Sequence, residues 1–183
     1  MIDGIKIKKI LSSHWLLGLI LLLALSLRVW GITFGLPGID HGDEAEIVNH
    51  AVRFGSGDLN PHRFVYGSLF QYILFFFYGM YFVFGYLTNA FSSVHEFALY
   101  FAHDPTIFHL IARSLSAILG TATVMLAYRT GKHINGRTTG LMAALFLAVA
   151  YEHVVHSHYG TVDIALCFFF TLAVTLHTGF RWS

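Results

Sequence analysis

Apolar runs and short polar islands alternate along the chain. Runs at residues 13–30, 107–130, 138–152 and 161–180 approach the ~20 apolar residues that a helix needs to cross a bilayer core of ~30 Å. A strongly aromatic run occupies residues 66–91. The pattern predicts an all-α integral membrane protein with about four transmembrane helices.

The first polar island, residues 39–60, is dense in charge. It contains Asp40, Asp43, Glu44, Glu46, Arg53 and Asp58. We expect Asp40 to cap a helix whose first turn holds the next three acids, where carboxylates meet the positive end of the helix dipole. Because ionisable groups at membrane depth are costly unless they are used, this island is a candidate active-site loop.

The same island has the spacing of a short amphipathic helix. Ala45, Val48, Ala51 and Val52 recur at helical intervals. Such a helix is expected to lie on the membrane surface. Its end is marked by three helix breakers, Gly55, Gly57 and Pro61.

Basic residues indicate the orientation of the first helix. Lys6, Lys8 and Lys9 precede it and should stay in the cytoplasm, so that the helix runs outward. A cleaved signal peptide, with Ala24 and Ser26 at its cleavage site, is the alternative. Apolar character continues past that point, which favours an uncleaved anchor.

A short basic loop governs where the aromatic run is placed. By the same preference of basic residues for the cytoplasmic side, this loop belongs in the cytoplasm; it contains Arg129, Lys132, His133 and Arg137. A single crossing by residues 66–91 would instead put the loop outside the cell. We therefore expect the run to lie along the outer leaflet, or to dip into it and return. The candidate bends are Gly67, Gly79 and Gly85. Residues 31–106 then form one external loop with surface-lying juxtamembrane helices.

A second external island follows the helix at 138–152. It contains Glu152, His153, His156, His158, Tyr159 and Asp163. The expected topology brings Asp163 to the same membrane face as Asp43. Arg113, near the outer end of its helix, is interpreted either as a snorkelling anchor or as a partner for an anionic phosphate.

Composition narrows the functional class. The chain of 183 residues is 56% hydrophobic and has a formal net charge of +1, so net charge indicates no nucleic-acid partner. Cys167 is the single cysteine, which excludes an internal disulfide. We expect a multi-pass protein of the cytoplasmic (inner) membrane, with a cytoplasmic amino terminus.

Several motifs, in order, carry a resemblance to a known family. They are GLPG-x-D-H-G-D-E-A, Y-G-S-L-F-Q-Y, R-S-L-S-A-I-L-G-T, the basic turn G-K-H-I-N-G-R-T, and H-S-H-Y-G-T-V-D. The chain resembles the amino-terminal part of the C-type membrane glycosyltransferases, in the branch of the protein O-mannosyltransferases and the lipid A aminoarabinose transferase. The resemblance implies transfer of a sugar from a polyprenyl-phosphate donor to a protein, lipid or glycan acceptor at the extracytoplasmic face.

The resemblance also implies catalytic roles. Asp43 matches the proposed catalytic base, and Asp163 matches the acid found where the helix after the second island begins. A carboxylate base takes the proton of the acceptor hydroxyl as positive charge develops on the sugar, with no obligatory metal cofactor. Asp163 and Glu44 are expected to orient the acceptor or the base.

Further residues are expected to contact the substrate: Arg113, Arg63, His62, Tyr66 and His158. The first three would offset negative charge on the departing lipid phosphate. The chain departs from the family pattern twice. Gly67 stands where a proline is common, and residues 64–66 stand where some members carry a further acid.

Two other functions remain open at this level. Histidines of both islands, together with Asp43 and Asp163, could ligate a divalent metal and make the protein a metal-dependent membrane enzyme. These histidines are His41, His153, His156 and His158. Because the chain stops at Ser183, a non-catalytic membrane module or an inactive front portion of a longer enzyme is also compatible with the sequence.

Overall fold

The computed structural model describes residues 15–38 and 41–181, and this part of the chain is all-α, as predicted. Its helices are α1 (Trp15–Val29), α2 (Gly42–Arg53), α3 (Leu69–Leu87), α4 (Val94–His103), α5 (Thr106–Val149), α6 (Tyr151–His156) and α7 (Val162–Arg181). A single 3-10 turn, Phe54–Ser56, follows α2. The basic flank Lys6, Lys8 and Lys9 lies outside the described residues.

Three of the described helices are long and apolar enough to cross a membrane. They are α3, α5 and the Val162–Gly179 portion of α7. Over its 15 described residues, α1 is apolar but shorter. The helices therefore have the length and composition of an integral membrane protein.

A break divides α5 into two helices. Asn135 and Gly136 have non-helical backbone, and the φ of +77° at Gly136 favours a residue without Cβ. The chain reverses here and brings Gly140 against Tyr128. The closeness is shown by a Cβ on Gly140, which would lie 2.5 Å from the Tyr128 carbonyl oxygen. The break falls in the basic turn expected between residues 107–130 and 138–152.

The described chain forms two compact units. One comprises residues up to 30, residues 117–157 and residues from 164 onward; the other comprises residues 31–116 and 158–163. The core of the first unit consists of Ala24, Val124, Tyr128, Leu141, Ala144 and Ala148. The second unit contains α2, α3, α4 and the beginning of α5, and it holds both polar islands' candidate acids.

Arg28 is fully buried in the first unit. Its guanidinium donates to the carbonyls of Ala24 at 2.8 Å, Ala148 at 3.1 Å and Leu147 at 3.3 Å, and Nη2 lies 2.8 Å from His153 Nδ1. Burial, followed by the Arg28 charge, lowers the pKa of His153 to about 4, which keeps this imidazole neutral. The end of α1 is thereby tied to the end of α5 and to α6.

The amphipathic helix expected in the first island is α2. Ile47, Val48 and Ala51 are fully buried. The N-cap is His41, whose side chain makes no capping hydrogen bond, so the expectation that Asp40 caps this helix is wrong. The helix begins one residue later than a cap at Asp40 would require, and Asp40 itself lies outside the described residues.

The aromatic run forms α3, which is one uninterrupted helix. The bends expected at Gly79 and Gly85 are therefore wrong, and Gly67 precedes the helix. An isolated glycine weakens a helix by only about 1 kcal/mol, so two glycines do not by themselves interrupt an apolar helix of 19 residues. Gly85 serves packing, since the Phe91 ring occupies the space a Cβ would need.

Candidate functional site

A buried ion pair between Glu44 and Arg113 organises the second unit. Glu44 is fully buried and Arg113 is 1% exposed. Arg113 Nε donates to Glu44 Oε1 at 2.7 Å, and Nη2 donates to Oε2 at 2.8 Å. This two-point geometry is the strongest pairing available to a guanidinium and a carboxylate.

The remaining contacts of Arg113 reach the segment that follows α1. Nη1 donates to the carbonyl oxygens of Ile32 at 2.9 Å and Phe34 at 2.8 Å. The Phe34 ring lies 5.0 Å from the guanidinium carbon, within cation–π distance. Both roles expected for Arg113 assumed an exposed guanidinium, whereas the structure buries it against Glu44.

The second island joins the same centre through Gly160. The Gly160 N–H donates to Glu44 Oε1 at 2.9 Å. A Cβ at Gly160 would lie 2.5 Å from Ala112 Cβ, so only glycine permits this approach. We call Glu44, Arg113 and Gly160 the buried clamp. It joins the segment after α1, the first turn of α2 and the turn before α7.

The ionisation of Glu44 follows from these contacts. Burial by itself would raise its pKa, but hydrogen bonds from Arg113 and the Gly160 N–H, the nearby His109 and the Arg113 charge lower the pKa to about 2. His109 Nδ1 lies 3.7 Å from Glu44 Oε1 and is also buried. Glu44 is therefore a permanent carboxylate at neutral pH.

The clamp brings the segments of the two candidate acids into contact. Asp43 precedes Glu44 and Asp163 follows Gly160 by three residues, and both aspartates are exposed. A hydrogen bond from Tyr66 to Asp43 raises the pKa of Tyr66, and the charges of Glu46 and Asp163 raise it further. The hydrogen bond from the Gly160 N–H to Glu44 places Asp43 and Asp163 in two segments that are in direct contact.

Asp163 is held at the beginning of α7. Thr161 Oγ1 donates to Asp163 Oδ2 at 2.8 Å. The carboxylate lies in the first turn of the helix, where the helix dipole favours negative charge. This position orients Asp163 without burying it.

The expected phosphate-facing cations differ in their surroundings. Arg63 Nη1 lies 3.2 Å from Glu46 Oε1, and the Arg63 side chain is 62% exposed. His62 Nε2 lies 2.6 Å from Asp58 Oδ2 in an exposed turn. Arg63 is thus paired with Glu46, an acid of α2, whereas His62 is paired with Asp58, an acid of its own turn.

Aromatic rings pack beside the clamp. The Tyr159 ring lies 5.6 Å from the Phe34 ring and 4.6 Å from the His41 ring. His158 is partly buried next to Tyr159 in the chain. These rings link the second island to the first island and to the segment before it.

Sequence reasoning missed the partnership of Glu44 with Arg113, and it missed Gly160 altogether. The sequence signal for this pair was Arg113, an arginine within an apolar helix of a chain that also has an acidic first island. Charges within apolar helices usually pair with one another. Arg28 was missed too, although it is the one Lys, Arg, Asp or Glu residue within 13–30. Within residues 15–38 and 41–181, no group of three or more His, Cys, Asp or Glu side chains could hold a metal ion.

Comparison with known proteins gives one match. Residues 79–182 match the family model of dolichyl-phosphate-mannose-protein mannosyltransferase, and this range includes Arg113, Gly160 and Asp163 but not Asp43. The matched range covers more than half of the 183 residues. Neither a curated protein nor a solved structure matches the chain.

Proposed function

The chain belongs to the dolichyl-phosphate-mannose-protein mannosyltransferase family, and from this premise we propose that it moves a sugar from a polyprenyl-phosphate donor to an acceptor at the extracytoplasmic membrane face. Membership implies glycosyl transfer from a lipid-linked sugar. The family description supports mannose as the sugar and a protein hydroxyl as the acceptor. The observation that carries the proposed site is the hydrogen bond of 2.9 Å from the Gly160 N–H to Glu44, which joins the segment of Asp163 to the segment of Asp43.

Asp43 acts as the general base in this proposal. The acceptor oxygen forms a bond to the anomeric carbon while its proton passes to Asp43. The bond from the anomeric carbon to the phosphate oxygen breaks, and its electron pair leaves with the lipid phosphate. A positioned carboxylate assists as the ring acquires positive charge. The Tyr66 hydroxyl holds the carboxylate through the hydrogen bond that raises its own pKa.

Glu44 and Arg113 are positioning residues in this proposal. Both side chains are buried and bonded to each other, so neither faces an acceptor hydroxyl or a phosphate. Their contacts hold the residues that flank Asp43 and Asp163. Pre-organisation of this kind contributes to rate because misplacement of a catalytic group by ~1 Å costs on the order of 100-fold.

Arg63 is the proposed partner of the donor phosphate. Its guanidinium is mostly exposed, and its pairing with Glu46 at 3.2 Å is a surface contact that a phosphate can replace. Tyr66 and His158 are proposed to line the acceptor side. Asp163 is proposed to orient the acceptor, since it is exposed and lies three residues after Gly160, whose N–H donates to the residue next to Asp43.

The test is a transfer assay with a radiolabelled polyprenyl-phosphate sugar on membranes that contain the full-length gene product. Asp43→Asn should reduce transfer by at least ~100-fold, the lower end of what a general base contributes. Asp58→Asn is the matched control: it removes an exposed acid of the same island, paired with His62, and should leave transfer unchanged. Undiminished transfer by Asp43→Asn at equal membrane insertion rejects the assigned base.

A further inference from the structure

An apolar groove lies between α2, α3 and α4 in the second unit, away from the clamp. Its volume is about 600 Å³, within the range of small-molecule sites. We call it the α2–α3–α4 groove. Its walls include Ala51 and Val52 of α2, Phe75 and Phe82 of α3, and Phe97 of α4.

Gly79 opens the groove on the α3 side. It lines the groove, and a Cβ built there would meet no other atom within 4 Å. A second apolar cavity of about 620 Å³ shares Phe75, Gly79 and Phe82 with the groove. The two cavities therefore adjoin at Gly79, and we call them together the apolar channel.

The surroundings of the channel have the character of a lipid-facing surface. On α3, Phe76 is 63% exposed, Phe84 is 66% exposed and Leu87 is 74% exposed. A helix that shows such a face in a membrane protein contacts the boundary between headgroups and acyl chains. An occupant from this region is an acyl chain, because every methylene buried among aromatic walls is removed from water.

Charge at the groove indicates which kind of lipid fits. Among the described residues that line it, Arg53 is the one charged at neutral pH, and His95 lines the opposite wall. Arg53 ends α2 with an exposed side chain. The neighbouring Glu96 is engaged elsewhere, since its Oε2 accepts from the Ser92 N–H at 2.7 Å. A guanidinium beside an apolar channel complements a phosphate attached to an acyl chain.

We propose that the α2–α3–α4 groove binds an acyl chain of one anionic membrane phospholipid, whose phosphate lies against Arg53. The bound lipid fills the space that Gly79 leaves open. It is separate from the sugar donor, whose proposed phosphate partner is Arg63. The lipid holds α2, and with it the Asp43 end of the site, against α3 and α4.

The test counts lipids retained by the full chain. The protein is reconstituted in vesicles of equal phosphatidylglycerol and phosphatidylcholine, extracted in mild detergent and weighed by native mass spectrometry. Wild type should retain one lipid, with phosphatidylglycerol favoured at least fivefold. Gly79→Leu should reduce retention at least fivefold. Gly18→Leu is the matched control, because Gly18 is also a helical glycine with no atom within 4 Å of its Cβ, and it lies outside the groove.

Arg53→Gln separates the headgroup from the chain. This exposed substitution should leave the lipid bound but bring the preference for phosphatidylglycerol close to one. The proposal is overturned if Gly79→Leu retains as much lipid as wild type, if Arg53→Gln keeps the preference, or if the retained mass is a polyprenyl phosphate or a second copy of the chain. Because the readout is lipid retention, its outcome is distinct from that of the Asp43→Asn transfer assay.

Discussion

Arg113 uses one guanidinium to hold three separate parts of the chain. Four of its hydrogen bonds end on Glu44 and on the carbonyls of Ile32 and Phe34. The desolvation cost of a buried charge is large, and here it is offset by a partner whose second oxygen is also bonded. The consequence for function is that the two aspartates beside this clamp stay exposed while their neighbours are buried.

Removal of Arg113 should destabilise the second unit severely. Arg113→Met leaves Glu44 as an uncompensated buried carboxylate, so the free energy of unfolding in detergent should fall by about 3–5 kcal/mol. Arg63→Met is the matched control, since it breaks an exposed Arg–Glu pair and should cost no more than about 1 kcal/mol. Denaturant titration measures both. Equal losses would show that burial of the Glu44–Arg113 pair has no energetic consequence.

The ionisation of Glu44 gives stability a defined pH dependence. Its pKa is lowered from 4.5 to about 2 in the folded chain. Between these values the unfolded state binds the proton that the folded state does not, so the contribution is complete above about 4.5 and is lost as the pH falls toward 2. Glu44→Gln cannot titrate. The difference in unfolding free energy between wild type and Glu44→Gln should therefore shrink over this window, and a constant difference would contradict the assignment.

At the scale of elements, helix geometry separates neighbouring acids of α2. Successive residues point about 100° apart around a helix, so Glu44 faces the interior while Asp43 faces outward. The burial of Ile47, Val48 and Ala51 fixes which side of α2 is interior. The adjacent Asp-Glu pair thus serves two purposes: one acid anchors the helix and the other remains available for chemistry.

The break in α5 depends on close helix contact. Gly140→Ala should destabilise the first unit by about 1–3 kcal/mol, because the new Cβ would lie 2.5 Å from the Tyr128 carbonyl oxygen and 3.0 Å from the Lys132 nitrogen. Gly18→Ala in α1, where no atom lies within 4 Å, should instead gain up to about 1 kcal/mol from helix propensity. Thermal unfolding in detergent compares the two variants. A Gly140→Ala variant as stable as Gly18→Ala would exclude this packing.

At the scale of the whole molecule, one hydrogen bond constrains how the chain threads the membrane. The bond from Gly160 to Glu44 requires the first loop and the turn before α7 to share one face. The reversal at Asn135 and Gly136 divides α5 into two helices, which we expect to cross the membrane once each. Two residues on the same face must be separated by an even number of crossings. The two halves of α5 already supply two crossings between Glu44 and Gly160, so a further crossing by α3 would make the number odd. We therefore expect α3 to lie along the face, in agreement with the Tyr78 hydroxyl that donates to the Phe108 carbonyl at 3.1 Å, near the start of α5.

Cysteine labelling tests this threading. Cys167→Ser removes the single cysteine of the chain and provides the background. Cysteines at positions 58 and 89, before and after α3, should both react with an impermeant maleimide from outside intact cells if α3 lies along the face as we expect. A cysteine at position 132 in the basic turn should react only after permeabilisation, which provides the control. Labelling of positions 58 and 89 from opposite sides would establish that α3 crosses.

Local pattern was sufficient for several elements of this protein. Apolar length predicted the all-α class, the spacing of Val48 and Ala51 predicted the amphipathic α2, and the basic residues around Asn135 predicted a turn between two helices. These features depend on residues near one another in the chain, so periodicity and charge reveal them. The resemblance of the motifs to C-type glycosyltransferases agrees with the family match over residues 79–182.

Tertiary structure alone decided which charges pair. Glu44 and Arg113 are 69 residues apart, Glu44 and Gly160 are 116 apart, and Arg28 and His153 are 125 apart. No local pattern encodes such partners, because they are selected by packing that shields both groups from water. The uninterrupted α3 was likewise decided by packing, since contacts such as Phe91 against Gly85 outweigh the flexibility of its glycines. The sequence thus determined which residues carry charge and on which helices, and the fold determined which of those charges are buried as clamps and which remain exposed.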